Sequence, residues 1–222
     1  MLAKQLLDKD FTPLHPKDAA YAALAKMDAW QTTNIPVVEP ATSKMLGQVT
    51  LKLISDLEDE STPLSELTLE NPIFTFEHQH VFEVARQMLY HEIRLLPVVD
   101  EAEQFIGIVH KKDVLEALSG MLNVSTVGSV ITVEMNSVDF TLTELVHLIE
   151  QEEAKILGLT VERDNDDHTS LKISIKLNLQ DTSAVISSLQ RHGYVTSTEN
   201  KHDLLQIDMS SRADELIRYL DL

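Results

Sequence analysis

The chain has 222 residues, of which 43% are hydrophobic and none is cysteine, so it can bury a substantial core but can form neither a disulfide bond nor a thiolate metal site. Its 36 acidic residues outnumber 18 basic ones, and this net charge of −18 argues against non-specific nucleic-acid binding, which needs Lys and Arg against phosphates. The apolar runs are far shorter than the roughly 20 residues of a membrane-spanning helix, and the N-terminal residues show no signal-peptide pattern, so we expect a cytoplasmic protein without a membrane partner.

One segment of the chain occurs twice. The sequence Ile-Pro-Val-Val-Glu at residues 35–39 returns as Leu-Pro-Val-Val-Asp at residues 96–100. Further along, Gly-Gln-Val-Thr at residues 47–50 matches Gly-Ile-Val-His at residues 107–110. A repeat of this kind predicts one supersecondary unit used twice. Two such copies are expected to pack face to face, with a ligand cleft between them.

The predicted elements of the first copy begin after a short helix at residues 1–10, which has three leucines on one face. Asp18 is predicted to cap the first helix of the copy itself. The copy, at about residues 11–60, is predicted as an extended segment, a helix, two strands and a helix, at residues 11–14, 18–29, 35–38, 47–50 and 51–57.

The second copy follows the same order at about residues 72–119. Its predicted segments, in the same sequence of extended segment, helix, two strands and helix, are residues 73–76, 81–90, 96–99, 105–110 and 113–118. Each copy therefore reads β-α-β-β-α.

The last third of the chain has a different pattern. Residues 142–157 predict one long amphipathic helix, and residues 171–177 alternate cleanly as a strand. The remaining predictions are strands at 130–135, 160–163, 194–197 and 204–209, a turn at 164–168, and helices at 182–192 and 213–220. The β-α-β-β-α-β order up to residue 199 is that of the split βαβ, or ferredoxin-like, fold.

The repeat unit resembles the CBS domain, and its two copies at residues 11–119 resemble a CBS pair, or Bateman module. The resemblance is carried by the Pro-Val-Val core with its following acid, by the Ala…Met helix before it, and by a closing Gly-h-Val-Thr-x-x-Asp element, where h is hydrophobic. Residues 129–199 resemble an ACT domain in their order of elements. This layout is similar to that of the bacterial acetoin-utilisation accessory proteins.

These resemblances imply an α+β chain of three parts. The expected divisions are residues 1–60 for the N-terminal helix and first CBS repeat, 61–128 for the second repeat, and 129–222 for an ACT-like ferredoxin-fold domain with an extra strand and helix.

The CBS resemblance also implies an adenine nucleotide (AMP, ADP or ATP) in a cleft between the repeats, with an Asp of the closing element on the ribose hydroxyls and a Ser or Thr near the phosphate. The first copy has the hydroxyl, Thr50, but carries Leu53 where the acid is expected. The second copy has the acid, Asp113, but carries His110 in place of the hydroxyl. The resemblance therefore predicts at most one good site, with Asp113 as its ribose ligand.

Further contacts are expected beside Asp113. Lys111 and Lys112 are the nearby cations for phosphate, with His110 as another donor. Alternatives stay open for all four residues: Asp113 as an acid that stabilises its own helix N-terminus, the lysines as a solvated turn, and His110 as a core-edge histidine.

We expect no enzyme and no required cofactor, because no residue pattern supplies a nucleophile with its base. The ACT-like segment lacks the Pro-Gly of ligand-binding ACT loops and carries Asp139 there, so it is expected mainly to dimerise rather than to sense an amino acid. The main hypothesis is a homodimeric regulatory protein that senses an adenine nucleotide and acts on an unidentified protein partner. The alternative is a dimeric interaction module whose nucleotide site is degenerate.

Overall fold

A computed structural model describes residues 1–138, 141–163 and 169–198, which show a mixed α+β fold, as predicted. The chain divides into two units, Met1–Leu118 and Ser119–Leu222. Both sequence copies lie in the first unit. The divisions expected after residues 60 and 128 stay a prediction.

The elements of the first unit follow the predicted order in both copies. The first copy contains α1 (Ala20–Ala29), β1 (Asn34–Val38), β2 (Met45–Thr50) and α2 (Leu51–Ser55). The second contains β3 (Thr75–Phe76), α3 (Val81–Tyr90), β4 (Leu95–Val99), β5 (Phe105–His110) and α4 (Lys111–Met121).

The central hairpin of each copy has the same register. Val37 pairs with Gly47 in the antiparallel β1–β2 pair, and Val98 pairs with Gly107 in the antiparallel β4–β5 pair. A register irregularity follows at the next residue in both hairpins. The copies differ at their start, because only the second has a strand, β3, parallel to its hairpin, whereas Leu14 forms a single parallel bridge to Val37.

The predicted helix at residues 1–10 is wrong. Only a single turn of 3-10 helix, at Ala3–Gln5, is present in this segment, because the chain then pairs with β5, where Asp8 and Ile108 exchange backbone hydrogen bonds. Pairing with a distant part of the chain therefore replaces local helix formation.

The predicted cap of the first helix is also wrong. The Asp18 carboxylate accepts from the His15 amide at 2.8 Å, and Ala19 occupies the N-cap position of α1.

Each segment that precedes a copy packs on the other copy. Ala3, Leu6 and Leu7 join the hydrophobic core of the second copy. Leu67 and Leu69, just before the second copy, pack against the core of the first. This exchange brings residues that are distant in sequence to the closing elements of both copies.

In its described residues, the second unit contains one four-stranded sheet and two helices. Its elements are β6 (Ser129–Asn136), α5 (Leu142–Gln151), β7 (Ile156–Arg163), β8 (Ser170–Leu177), α6 (Ser183–Arg191) and β9 (Val195–Thr198). The strand order is β7-β8-β6-β9, and every neighbouring pair is antiparallel. The core lies between this sheet and the apolar faces of α5 and α6.

The helix predicted at residues 142–157 is too long. The helix α5 ends at Gln151, Glu153 takes a positive φ of 58°, and Ile156 already pairs with Leu177 as the first residue of β7. The predicted turn at 164–168, the strand at 204–209, the helix at 213–220 and the Asp139 position of the ACT-like loop lie outside the described residues. In the part of the chain that the structure describes, no helix has the length and apolar character of a membrane span.

Candidate functional site

The closing element of the first copy places Thr50 at the junction of β2 and α2. Its hydroxyl donates to Glu70 Oε1 at 2.7 Å and accepts from the Leu53 amide at 3.3 Å, which caps the helix. Sequence analysis missed Glu70. A carboxylate is thus present beside Thr50, although Leu53 occupies the position where the closing element was expected to carry one.

The backbone explains how Glu70 reaches Thr50. Gln48 and Glu70 exchange two backbone hydrogen bonds, each of 3.0 Å. Gly47 allows this approach, because a Cβ added there would lie 2.7 Å from the Glu70 carbonyl oxygen. The glycine of the closing element is therefore needed for close packing against the segment that carries Glu70.

The closing element of the second copy repeats this arrangement. Nε2 of His110 lies 3.0 Å from Oδ2 of Asp8, whose carboxylate accepts the hydrogen bond. Asp8 and Ile108 exchange backbone hydrogen bonds of 2.8 and 3.0 Å, and a Cβ added at Gly107 would lie 2.5 Å from the Asp8 carbonyl oxygen. Thr50 and His110 are therefore equivalent positions, and each faces a carboxylate from the segment that precedes a copy.

The Asp8 carboxylate is held in its charged form. The hydrogen bond from His110 lowers the pKa of Asp8, and a backbone hydrogen bond from Asp10 lowers it further. The segment that carries Asp8 is therefore tied to the second closing element by both backbone and side-chain bonds.

An aromatic residue covers His110 but not Thr50. Trp30, the residue after α1, stacks on the His110 ring with centroids 5.4 Å apart and an interplanar angle of 12°. The Trp30 ring also packs edge-on against the Phe11 ring, with the two centroids 5.0 Å apart. The residue after α3 is His91, and it lines an open cleft that also contains Thr50.

We name this space the Thr50 cleft. Its volume is about 630 Å³, within the range of small-molecule sites. Both copies line it, with Asn34, Gln48 and Thr50 from the first and Ile93 from the second, and with Glu70 from the segment between them. Asn34 and Gln48 are only 3% and 4% exposed, so polar side chains lie at the buried end of the cleft.

A second space, the Arg94 cleft, adjoins it. Its volume is about 580 Å³, and Thr33 and Leu51 line both clefts. Among the described residues, the Arg94 side chain makes one long hydrogen bond, 3.5 Å to the Gln31 carbonyl, so most of its guanidinium donors are unused there. The pair of clefts therefore offers one end with buried amides and another with a cation.

Among the residues predicted for a site, Thr50 lines the cleft, whereas the four predicted around Asp113 line neither cleft. Asp113 is half-buried in the first turn of α4. Lys111 and Lys112 are exposed, and Lys112 Nζ lies 3.7 Å from Glu116. His110, predicted beside the phosphate, is bonded to Asp8 and stacked on Trp30 as described above.

The two carboxylates that sequence analysis missed share a signal. Asp8 and Glu70 each lie three residues before the extended segment that opens their copy, at residues 11 and 73. The repeat offset of 61 residues pairs Asp8 with Leu69, so extending the repeat alignment upstream would have missed Glu70 by one residue. The contacts of Asp8 and Glu70 with the closing elements could not have been predicted from the repeat either, because each residue packs on the other copy.

No metal centre is evident among the residues that the structure describes, because none of their His, Asp and Glu side chains form a group of three that could hold an ion.

Comparison with known proteins finds a family match for part of the chain. The CBS domain family matches residues 64–120. Inosine-5'-monophosphate dehydrogenase from Methanocaldococcus jannaschii is 24% identical over 114 residues, which cover 51% of this chain and 23% of that protein. This chain spans about a quarter of the length of the curated relatives that it matches.

Solved structures that are similar to the chain include the following two CBS proteins. A CBS domain pair/ACT domain protein from Thermotoga maritima is 27% identical, with a TM-score of 0.48 over 55% of this chain and 99% of that one. CBSX2, solved in complex with AMP, is 21% identical, with a TM-score of 0.43 over 54% of this chain and 96% of that one. From the family match, this chain contains a CBS domain at residues 64–120.

Proposed function

We propose that this protein is a regulatory ligand sensor that binds an adenine nucleotide in the Thr50 cleft, between two CBS repeats. The observation that carries the proposal is the Thr50–Glu70 pair, 2.7 Å apart, in a cleft of about 630 Å³ lined by both copies. This cleft has the size and the mixed polar and apolar lining of a small-molecule site.

The Glu70 carboxylate gives the cleft a group for the ribose. A carboxylate accepts hydrogen bonds from two vicinal hydroxyls, and such charge-assisted bonds are stronger than neutral ones. Leu53 offers no such acceptor at the position where the CBS resemblance expects an acid. Glu70 therefore takes that role from a different segment, with the Thr50 hydroxyl beside it.

The part of the proposed site that would hold the phosphate has little positive charge. Lys52 lines the Thr50 cleft and Arg94 the adjoining one, and these are the cations available for phosphate. Four acids line the same spaces: Asp28, Asp56, Glu70 and Glu92. Because each added phosphate brings more negative charge towards these carboxylates, the site is suited to a monophosphate better than to a triphosphate.

The second closing element is the other candidate position. His110, Lys111, Lys112 and Asp113 would contact a nucleotide there, as the sequence predicts. A ligand at that position would have to displace Trp30 from His110 and approach the Asp8 carboxylate. We therefore place the nucleotide in the Thr50 cleft first.

Regulation would follow from a shift in populations. A nucleotide in this cleft touches the first copy through Thr50 and the second through Ile93, so it favours the arrangement in which both contacts are made. It can shift the equilibrium only by the difference in its affinity for the two arrangements. No catalytic step is part of this proposal.

The second unit is proposed to be an ACT-like, ferredoxin-fold domain that serves dimerisation. Its β-α-β-β-α-β order and its β7-β8-β6-β9 sheet support that assignment. A cytoplasmic homodimer that acts on a protein partner, in the manner of an acetoin-utilisation accessory protein, is the whole-chain form of the hypothesis.

Calorimetric titration with AMP, ADP and ATP tests the nucleotide site. We expect saturable heat with the wild-type protein and at least roughly tenfold weaker AMP binding in Glu70→Gln, because a neutral amide accepts ribose hydroxyls less strongly. Glu58→Gln, at an exposed residue of the connector, is the matched control and should bind as wild type. The absence of heat and of any thermal shift at millimolar nucleotide would overturn the proposal.

The same titration with Asp113→Ala separates the two positions. If Asp113→Ala abolishes binding and Glu70→Gln does not, the nucleotide occupies the second closing element instead of the Thr50 cleft. If neither substitution changes the affinity, the ligand lies in neither place.

A dimeric interaction module with a degenerate site is the second candidate function. Tyr21 on α1 and Phe82 on α3 occupy equivalent places in the two repeats, and each is 60% exposed. Exposed aromatic side chains of this kind are enriched at protein interfaces. This candidate predicts a dimer in native mass spectrometry whose thermal stability does not respond to nucleotides.

A further inference from the structure

We infer that Gln48 reads the purine base in the Thr50 cleft and makes the site selective for a 6-amino purine over a 6-oxo purine. The inference rests on the proposed function, because it assigns a specificity residue to that same site. It starts from a buried amide that has hydrogen-bonding capacity to spare.

The Gln48 side chain lines the cleft and yet is only 4% exposed. Its Nε2 makes no hydrogen bond with any residue that the structure describes, and its Oε1 accepts one long bond of 3.4 Å from Asn34 Nδ2. Among the described residues, the fully buried side-chain polar atom without a partner is Gln87 Oε1, so Gln48 Nε2 is accessible from the cleft and can donate to a ligand there.

Neighbouring side chains hold this amide in place. The Asn34 side chain is itself 3% exposed, and its Oδ1 accepts from the Thr32 hydroxyl at 3.1 Å. The hydrogen bonds that join Thr32, Asn34 and Gln48 therefore support the amide. Gln48 loses little further side-chain freedom when it binds a ligand, which favours recognition.

The position of Gln48 relative to Thr50 suits a nucleoside. The two residues are two apart on β2, so their side chains point to the same face of the strand, about 7 Å apart along it. The base would lie at the buried end with Gln48, and the ribose would lie with Thr50 and Glu70. This order follows from the strand geometry and from the location of the carboxylate.

The amide edge matches adenine and mismatches a 6-oxo purine. A Gln side chain can accept from the 6-amino group and donate to N7 at the same time. A 6-oxo purine presents two acceptors on that edge, so the amide oxygen would face an acceptor without a proton between them. The loss of one such bidentate pair corresponds to a discrimination of roughly 10- to 100-fold.

The second closing element lacks this feature. The residue equivalent to Gln48 is Ile108, which is fully buried and carries no hydrogen-bonding side chain. Base selectivity is therefore a property of the Thr50 cleft alone.

The test compares AMP with inosine monophosphate, which differ at position 6 of the purine. For the wild-type protein we expect AMP to bind roughly 10- to 100-fold more tightly in calorimetry. In Gln48→Met, which keeps the length of the side chain, AMP affinity should fall towards that of inosine monophosphate, whose own affinity should change little. Gln104→Met, at an exposed residue before β5, is the control and should keep the wild-type ratio.

The outcomes distinguish this inference from the function on which it rests. If AMP and inosine monophosphate bind the wild-type protein equally well, or if Gln48→Met keeps the wild-type preference for AMP, Gln48 does not recognise the base. The proposed nucleotide site would be unaffected by either result. If neither nucleotide binds the wild-type protein, both fail. Should Gln48→Met not fold, 7-deaza-AMP on the wild-type protein removes the N7 acceptor instead, and binding equal to that of AMP would overturn the inference.

Discussion

Replacing Gly47 with alanine should destabilise the first unit and separate Glu70 from Thr50. The added Cβ would lie 2.7 Å from the Glu70 carbonyl oxygen and 2.7 Å from Leu69 Cβ, whereas ordinary contact begins at 3.4 Å. Strand β2 and the segment that carries Glu70 must therefore move apart by about 0.7 Å. A separation of that size along the two 3.0 Å backbone hydrogen bonds between Gln48 and Glu70 would lengthen them to about 3.7 Å, beyond the range of a hydrogen bond.

The expected cost follows from these contacts. Overpacking of this kind costs about 1–3 kcal/mol, and the lower unfolded-state entropy of alanine offsets about 0.4–1 kcal/mol of it. We therefore expect a net loss of about 1–2 kcal/mol, or roughly 3–8 °C in the unfolding midpoint of a unit of this size. Nucleotide affinity should fall as well, because the Glu70 carboxylate moves away from the Thr50 hydroxyl.

Fluorescence of Trp30 is the assay for this prediction. It is the only tryptophan of the chain, and it packs on Phe11 and His110 in the first unit, so its signal reports that unit. Gly120→Ala is the control, because apart from the adjoining backbone of α4 no atom lies within 4 Å of its added Cβ, so the unfolding midpoint of the first unit should not fall. A Gly47→Ala midpoint equal to or above that of the wild type would refute the reasoning.

Three further predictions concern the first unit. Asp8→Asn should lower the free energy of unfolding in urea near pH 6, and its difference from the wild type should become smaller as the pH falls to about 3. The pKa of Asp8 is lowered in the folded state, so its contribution to stability is present above the unfolded-state pKa and is lost as the pH falls through the folded-state pKa. Asp10→Asn is the control, and a difference from the wild type that grows in acid would contradict the argument. Met88→Ala, at a core residue 1% exposed, should cost about 2–5 kcal/mol in the same assay, whereas Leu89→Ala, at a neighbouring residue 65% exposed, should cost well under half as much; equal losses would show that burial is not the cause. Without a divalent cation, calorimetry should find ATP binding more weakly than AMP because of the acids around the two clefts, and tighter ATP binding would contradict the charge argument.

The elements that sequence analysis predicted well are those formed by local pattern. The range Val81–Tyr90 was predicted as a helix and Phe105–His110 as a strand, and the structure has both with those bounds. In each case one apolar stripe or one short apolar run is bounded by turn residues, so neighbours in sequence determine the element. The predicted helix at 142–157 was wrong at its end, because its apolar spacing continues into residues that the sheet takes up as β7.

The candidate site shows where such patterns stop being informative. Thr50 was found because it belongs to a repeated motif. Glu70 was not found, because it lies in a segment that packs on the copy that precedes it rather than on the one that follows. Gln48 belongs to the same repeated motif but was not predicted as a site residue, because its burial beside an open cleft is visible only in the structure.

The sequence by itself determined the repeated unit, the order of its helices and strands, and the division of the closing residues between the copies, because these depend on periodicity and on short motifs. Only the tertiary structure decided which carboxylates face Thr50 and His110, and that Trp30 covers one closing element while a cleft opens beside the other. The physical reason is that the segments before the two copies are exchanged between their cores. Contacts made across such an exchange join residues far apart in the chain, and no local pattern records them.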